Sequence, residues 1–452
     1  MMAADRPSPG GQRKQDLTHL RVPPKTTGDV PPIAYTRMRA LPGLLERVPD
    51  EIAAPALDLG AGVIGDVERL LGEAQPHAAL EMLDSAADAL PAELVDDARS
   101  MRVRALLMDG RVDDARGVLG EVSKNSPGLA LGSAALALAE GDHERAEREL
   151  LMARERAPRS LGVSYLHALV RVARGDLQQA LELLGDVARA APWHAVARYQ
   201  LGQLFLAQGD PARAGTLFEM SWAIAPTFVG PPLALAEMLV DARQHLEALS
   251  ILQTACDAAP AALPPRMLQL RVLVEIGERD AALNLGRLLH EQIPDDVDIG
   301  LLYADALLEA GRGGDARSLL ERALDRPGLD TTQGLRIRRL LARVALADRR
   351  VDDALELLKT AADIGGNTMG GEVWVEVVQI AAANDRAADV DMALVKLSQT
   401  QDISSLISGA LLARQQRLFA RARQLGERAR DLVKDTPAEG QIEAFLTALP
   451  KG

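Results

Sequence analysis

The stretch whose reading decides the fold is Ala195 to Pro226, AVARYQLGQLFLAQGDPARAGTLFEMSWAIAP. Leu201, Gly202 and Phe205 fall on one helical face of its first half, and Ala214, Phe218 and Ser221 on one face of its second. Gln208-Gly209-Asp210 interrupts the two patterns with turn-forming residues, and Pro226 ends the second. The stretch therefore predicts two short amphipathic helices joined by a tight turn. Small residues (Gly202, Ala214) sit where two backbones must cross closely, and large ones (Leu201, Phe218) fill the space around them.

The same unit recurs along the chain. Pro158, Pro192, Pro226, Pro260 and Pro294 lie 34 residues apart, as do Ala146, Ala180, Ala214, Ala248, Ala282 and Ala316. Gly141, Gly175, Gly209, Gly277 and Gly311 occupy the matching turn, with Arg243 replacing glycine once. Leu-Gly-x-x-aromatic, then Ala-x-x-x-Phe, then Pro, at a period of 34, resembles the tetratricopeptide-repeat family. The resemblance implies an all-α fold, a right-handed α-solenoid of about eleven helical hairpins with a C-terminal capping helix. The signature alanines are Ala79, Ala115, Ala146, Ala180, Ala214, Ala248, Ala282, Ala316, Ala354, Ala388 and Ala422. Four residues on from them stands a large apolar side chain in nine units, Met392 among them, whereas Gly286 and Gly426 break that pattern. The tenth unit has Ala383 at its turn and a Trp374 that fits no expected position.

Three segments follow from this register. Residues 1–45 form an arm with Pro7, Pro9, Pro23, Pro24, Pro31, Pro32 and Pro42 and no apolar periodicity. Its first 40 residues hold seven basic and three acidic groups, which leaves −17 on the rest of a chain whose total is −13. A solvated tail, a tether for an acidic partner and a segment folding back on the acidic body all fit that contrast. Residues 46–436 are the solenoid, and residues 437–452 a cap, in which Ile442, Phe445, Leu446 and Leu449 make one more amphipathic helix.

Composition excludes several classes. A net charge of −13 argues against a nucleic-acid binder, which needs a surplus of Lys and Arg to meet phosphates. The single cysteine, Cys256, forms no internal disulfide and falls late in a helix, where it reads as a small buried apolar residue. No stretch reaches the roughly 18 to 20 apolar residues of a membrane span, so no membrane insertion is expected. The N-terminal residues MMAADRPSPGGQRKQ lack an apolar core of a signal, which predicts a cytoplasmic location.

Catalytic chemistry finds no footing. The seven histidines are scattered through different units, with none paired at metal-ligand spacing, so no metal and no cofactor are expected. Leu57-Asp58-Leu59-Gly60-Ala61-Gly62 resembles a methyltransferase glycine loop, but that loop needs a preceding buried strand, and only helical patterns follow. It reads as the entry to the first helix. Asp113-Asp114 and Asp352-Asp353 stand at helix starts, where they complement the helix dipole.

What remains is a surface. In the resembled family the first helix of each hairpin lines a concave groove that holds a protein or peptide segment. Tyr165 and Tyr199, with Leu233, share one groove position in successive units. Glu237, Asp241, Glu275, Asp298, Asp305 and Glu309 form an acidic run, Arg271 lies within it, and Arg336, Arg339 and Arg343 form a basic stripe on one helix. Two readings stand for these charges: mutual pairing of Asp298 with Arg336 and Asp305 with Arg343, or a bipolar groove that orients a ligand. The Lys and Asn clamp by which some family members hold a carboxy-terminus is missing, because none of the four asparagines lies at a clamp position. The resemblance thus implies a non-catalytic scaffold or adaptor, with a peptide-sensing regulatory module and a structural subunit of a larger assembly as alternatives.

Overall fold

The computed structural model describes residues 62–123, 126–434 and 439–450. The expected arm, residues 1–45, and residues 57–61 of the glycine loop lie outside the described residues; Gly62 immediately precedes the first described helix. The chain divides into two compact units, Met1–Gln269 and Leu270–Gly452. Among the described residues every regular element is helical.

In the first unit the order is α1 (Val63–Gly72), α2 (Pro76–Ala86), a 3-10 turn (Ala92–Leu94), α3 (Val95–Met108), α4 (Val112–Gly120), α5 (Pro127–Ala139), α6 (His143–Arg156), α7 (Leu161–Ala173), α8 (Leu177–Ala190), α9 (Ala195–Ala207), α10 (Pro211–Ile224), α11 (Gly230–Asp241) and α12 (His245–Ala258). The division falls inside α13 (Leu263–Glu275). The second unit continues with α14 (Arg279–Gln292), α15 (Val297–Glu309), α16 (Gly313–Leu324), α17 (Thr331–Ala347), α18 (Val351–Ala383), α19 (Ala387–Leu397), α20 (Ile403–Gln415), α21 (Phe419–Leu432) and α22 (Glu439–Thr447). Within each unit successive helices pack as hairpins and the hairpins stack in chain order, which is an all-α solenoid arrangement.

The turn between helices of a hairpin is a left-handed residue. Ala74, Gly110, Gly141, Gly175, Gly209, Arg243, Gly277, Gly311, Arg349, Asp385 and Arg417 all have φ between 55° and 80°. At Gly209 the geometry is that of a Schellman cap: its N–H donates to the Leu206 carbonyl at 3.0 Å, and the Asp210 N–H to that of Phe205 at 2.9 Å. Asp210 then accepts the Arg213 N–H at 3.1 Å, while Pro211 opens α10 where no N–H is needed. Three residues thus end one helix and start the next.

Five residues beyond each turn comes the contact that closes the hairpin. Ala79, Ala115, Ala146, Ala180, Ala214, Ala248, Ala316, Ala354 and Ala422 are wholly buried there. Phe218, also wholly buried, lies against Gly202, where a β-carbon would come within 2.5 Å of its ring. Gly286 and Gly426 exchange the sizes: a β-carbon on either would stand 2.7 Å from Tyr303 or Leu446, large groups on the next helix along. The two glycines that break the sequence pattern are therefore sockets for a neighbour. Leu446 belongs to α22, which packs on α21 with Ile442 and Leu446 buried, as is Leu449 just after it.

The tenth hairpin needs a correction. Its turn falls at Asp385, not Ala383, so Val390 (4% exposed) takes the closing position and Ala388 is exposed. Leu394 is wholly buried where Met392 was expected, and Met392 is half-buried. Asn384 and Asp385 tolerate a left-handed turn better than alanine does, so the turn settles two residues later. Upstream, α18 contains two helices joined at Gly366, whose φ of 59° and ψ of −151° interrupt the helix. With that register Trp374 enters the core, 4% exposed. Cys256 is buried, and burial pushes its thiol up to about 11, in line with a packing role.

Candidate functional site

In the first unit the first helices of the hairpins, α1, α3, α5, α7 and the start of α9, converge on a buried polar cluster. Glu68 on α1 and Arg104 on α3 form a two-pronged ion pair, with contacts of 2.6 and 2.8 Å and side chains 4% and 6% exposed. Burial opposes ionisation of Glu68, but the attraction and hydrogen bonds of Arg104 outweigh it and hold the carboxyl below its ordinary range. The pair is charged yet neutral in sum.

His194, the cap of α9, stands beside this pair and is 1% exposed. Its Nδ1 accepts the Ala197 N–H at 3.1 Å, which places the ring proton on Nε2. Burial holds the imidazole down to about 4, so it is neutral at physiological pH. Its Nε2 is buried with no hydrogen-bond partner. Leaving such a donor unpaired costs roughly 1–3 kcal/mol. Trp193 stacks on the ring at 5.7 Å, and Gly72 lets this corner approach α1 so closely that a β-carbon would stand 2.5 Å from Trp193. Arg198, also buried, donates to the Ala188 and Ala191 carbonyls at the end of α8 and to that of His194, so a cation closes that helix dipole.

Next to His194 lies a cavity of about 230 Å³, walled chiefly by Leu71, Leu107, Leu138, Leu166 and Leu169 with Met108. Tyr165 is part of this wall, its ring 5.0 Å from His194 and its hydroxyl kept protonated by burial. Tyr199 is half-buried on α9, wedged between Phe218 at 5.7 Å and Phe228 at 5.2 Å. The two tyrosines predicted as one strip thus have different neighbours, and only Tyr165 lines the cavity. Glu237 and Asp241 are exposed on α11, and Arg271 is exposed on α13.

In the second unit the remaining predicted residues come together. Arg336 contacts Asp298 at 2.5 Å, and Arg343 contacts Asp305 at 2.6 Å and Glu309 at 2.8 Å. Arg339 turns the other way to grip Glu376 on α18, its Nε at 3.2 Å from one carboxylate oxygen. The pairings of Arg336 with Asp298 and of Arg343 with Asp305 each span 38 residues and are the mutual pairing that the sequence offered as one reading. With side chains 29% to 46% exposed, these pairs contribute about 0–1 kcal/mol each. They border a second cavity, about 350 Å³, shared with Leu301 and Ile380.

The Glu68–Arg104 pair and His194 escaped the sequence reading. Glu68 and Arg104 are 36 residues apart, close to one period, and each interrupts an apolar helix face. His194 stands one period after the α7 cap Ser160, a position that signals capping. Among the described residues no group of three or more His, Cys, Asp or Glu side chains is placed to hold a metal, and no helix is long and apolar enough to cross a membrane.

Stacked hairpins with a left-handed turn about every 34 residues define a helical-repeat protein whose first helices carry open clefts. Tetratricopeptide-repeat family models match residues 171–228, 268–331 and 301–367. Over these residues the chain carries tetratricopeptide repeats, which in general are non-catalytic and serve protein–protein interaction. Over 271 residues, 55% of the chain, it is 31% identical to cellulose synthase 2 operon protein C of Komagataeibacter xylinus, and it spans about a fifth (20%) of that relative's length. A monomeric mutant of human IFIT1 with Gppp-AAAA shares the fold at a TM-score of 0.50 and 15% identity, over 83% of this chain and 92% of that one. Yeast Tom70 aligns at 0.48 with 15% identity, over 84% and 86% of the two chains.

Proposed function

We propose that the protein is a non-catalytic scaffold or adaptor that holds a protein or peptide segment against the first helices of its hairpins. The observation that carries this reading is the pair of clefts, one between α3, α5, α7 and the start of α9, the other between α15, α17 and α18, both on first-helix faces. A stack of hairpins offers area and shape for recognition, and the net charge of −13 weighs against a nucleic-acid ligand. The groove contacts in this proposal are Tyr165, Tyr199, Glu237, Asp241, Arg271, Asp298, Asp305, Arg336, Arg339 and Arg343, and the cytoplasmic location expected from the N-terminal sequence belongs to the proposal as well. Likeness to an operon protein of cellulose synthesis favours a second reading, a structural subunit of a larger assembly.

The test is affinity capture of the full chain and of a form lacking residues 1–45, followed by cross-linking mass spectrometry. A stoichiometric partner cross-linked to first-helix residues of α7, α9, α15 or α17, and weakened by the exposed double substitution Arg336→Glu with Arg343→Glu, supports the reading. Cross-links confined to second helices, or binding unaffected by that substitution and by changes at Tyr165 and Tyr199, would overturn it. Loss of the partner with the N-terminal residues alone would transfer recognition to the arm.

A further inference from the structure

In a stack of hairpins each hairpin touches only its neighbours, and the first unit departs from that rule. Gly72, the last residue of α1, lies against the Trp193–His194 corner that opens α9, four hairpins further along the chain. A β-carbon on Gly72 would stand 2.5 Å from the Trp193 ring and 3.1 Å from the imidazole, and α1 and α9 are in direct contact. With α3, α5 and α7 between them, these first helices close as a ring round the cavity of about 230 Å³. An extended segment cannot lie along all of them while the ring is shut.

The seam between Gly72 and Trp193 is built to part. Gly72 offers no side chain to it, and Trp193 meets it while only half-buried. The groups beneath it are better served by water. The Nε2–H of His194 is buried with no acceptor, and Glu68 and Arg104 have given up their hydration to one another. Parting the seam rehydrates them and leaves the Glu68–Arg104 pair intact, since α1 and α3 belong to neighbouring hairpins. α1 stays on its own hairpin, because Val67 and Leu71 share one core with Ala79 and Leu83 of α2. The movement is a change of rotation spread over the hairpin interfaces from α1 to α9, not an unfolding.

We propose that the Gly72–Trp193 contact is a latch on the first unit: shut, it closes the first helices into a ring, and open, it turns them into a groove. The latch goes beyond the scaffold reading, because it sets when this face is accessible whatever the partner is. His194 faces Glu68 from α1, Arg104 from α3, Tyr165 from α7 and Arg198 from its own helix. α5 brings only apolar side chains to the cavity wall, and α8 presents the Ala188 and Ala191 carbonyls that Arg198 holds. Burial under the seam holds the imidazole down to about 4, and water returns it toward 6.5, so the shut state is favoured above 6.5 and weakens as pH falls toward 4. Between pH 8 and pH 6 the ratio of open to shut should rise about fourfold.

The test is double electron–electron resonance on the full chain, with nitroxides at Arg69→Cys on α1 and Ala207→Cys at the end of α9, both exposed, in a Cys256→Ala background. Two distances are expected, and the ratio of the longer to the shorter should rise about fourfold from pH 8 to pH 6. Gly72→Val wedges the seam and Trp193→Ala removes its cover, so each should make the longer distance dominant at pH 8. Circular dichroism and the exchange of the Ala79 to Leu83 amides should stay as in the unsubstituted chain, which separates opening from loss of the first hairpin. A single distance at both pH values and in both variants overturns the latch. So does a second distance that appears only with lost protection of Ala79 to Leu83, or one whose share is unmoved by pH. No partner is needed here, so the scaffold reading is judged apart: a captured partner with a single distance sinks the latch alone, and two distances with no captured partner sink the scaffold alone.

Discussion

Replacing Glu68 with alanine would leave the Arg104 guanidinium charged in a setting where its side chain is 6% exposed. Burial lowers the tendency of Arg104 to carry charge, and Glu68 more than restores it, so removing the carboxylate exposes the whole desolvation penalty. Two unit charges about 4 Å apart attract by about 4 kcal/mol at an effective dielectric of about 20. That agrees with the about 3–5 kcal/mol seen when one partner of a buried pair is removed. Glu68→Leu with Arg104→Met together should cost far less, because both desolvation penalties vanish along with the attraction. In a stack of hairpins the loss falls first on the hairpin of α1 and α2, which comes first in the stack among the described residues and carries Glu68 itself. Hydrogen exchange of the full chain is therefore the assay: amides of Val67 to Leu71 and Ala79 to Leu83 should exchange about two to three and a half decades faster in Glu68→Ala, while those of α15 and α16 stay unchanged. A cost for Glu68→Ala below about 1 kcal/mol, or a double variant no better than the single one, would show that the pair is not the buried, coupled unit described.

Three further outcomes follow from the packing and titration. Gly202→Ala forces a β-carbon to within 2.5 Å of the Phe218 ring and should cost about 1–3 kcal/mol in urea unfolding, with Phe218→Leu restoring part of it; additive losses would contradict the contact. Arg349→Gly and Arg417→Gly relieve left-handed residues with φ of 59° and 60° and should each raise stability by up to about 1 kcal/mol, whereas Gly209→Ala should lower it; melting temperatures decide the sign. His194 is neutral in the folded state down to about pH 4 but protonates near 6.5 when unfolded, so its share of stability, at most about 3 kcal/mol, is present above 6.5 and lost as pH falls toward 4. His167 and His290, both lowered by burial, act in the same direction. His194→Asn keeps a capping acceptor and should flatten the slope between pH 6.5 and 4; an unchanged slope would show that His194 does not carry it.

The sequence by itself determined the repeat. A period of 34 sets the left-handed turn, the closing alanine and the helix caps, because each depends on a few neighbouring residues whose conformational preferences are local. It also offered the pairing of Asp298 and Asp305 with Arg336 and Arg343 as one of two readings, since equal spacing puts equivalent positions of adjacent hairpins side by side, and the structure forms those pairs. The structure places that turn at Asp385 and not Ala383, in line with the better tolerance of Asn and Asp for a left-handed residue, and it alone showed that Trp374 then enters the core beyond the break at Gly366. The same holds for Glu68, Arg104 and His194. They lie on α1, α3 and the cap of α9, and what brings them within reach of one another is the accumulated rotation of several hairpins, a quantity that no local pattern encodes. Burial then turns ordinary titratable groups into a neutral pair and an unprotonated imidazole, because desolvation depends on everything that surrounds a group and not on its neighbours in the chain.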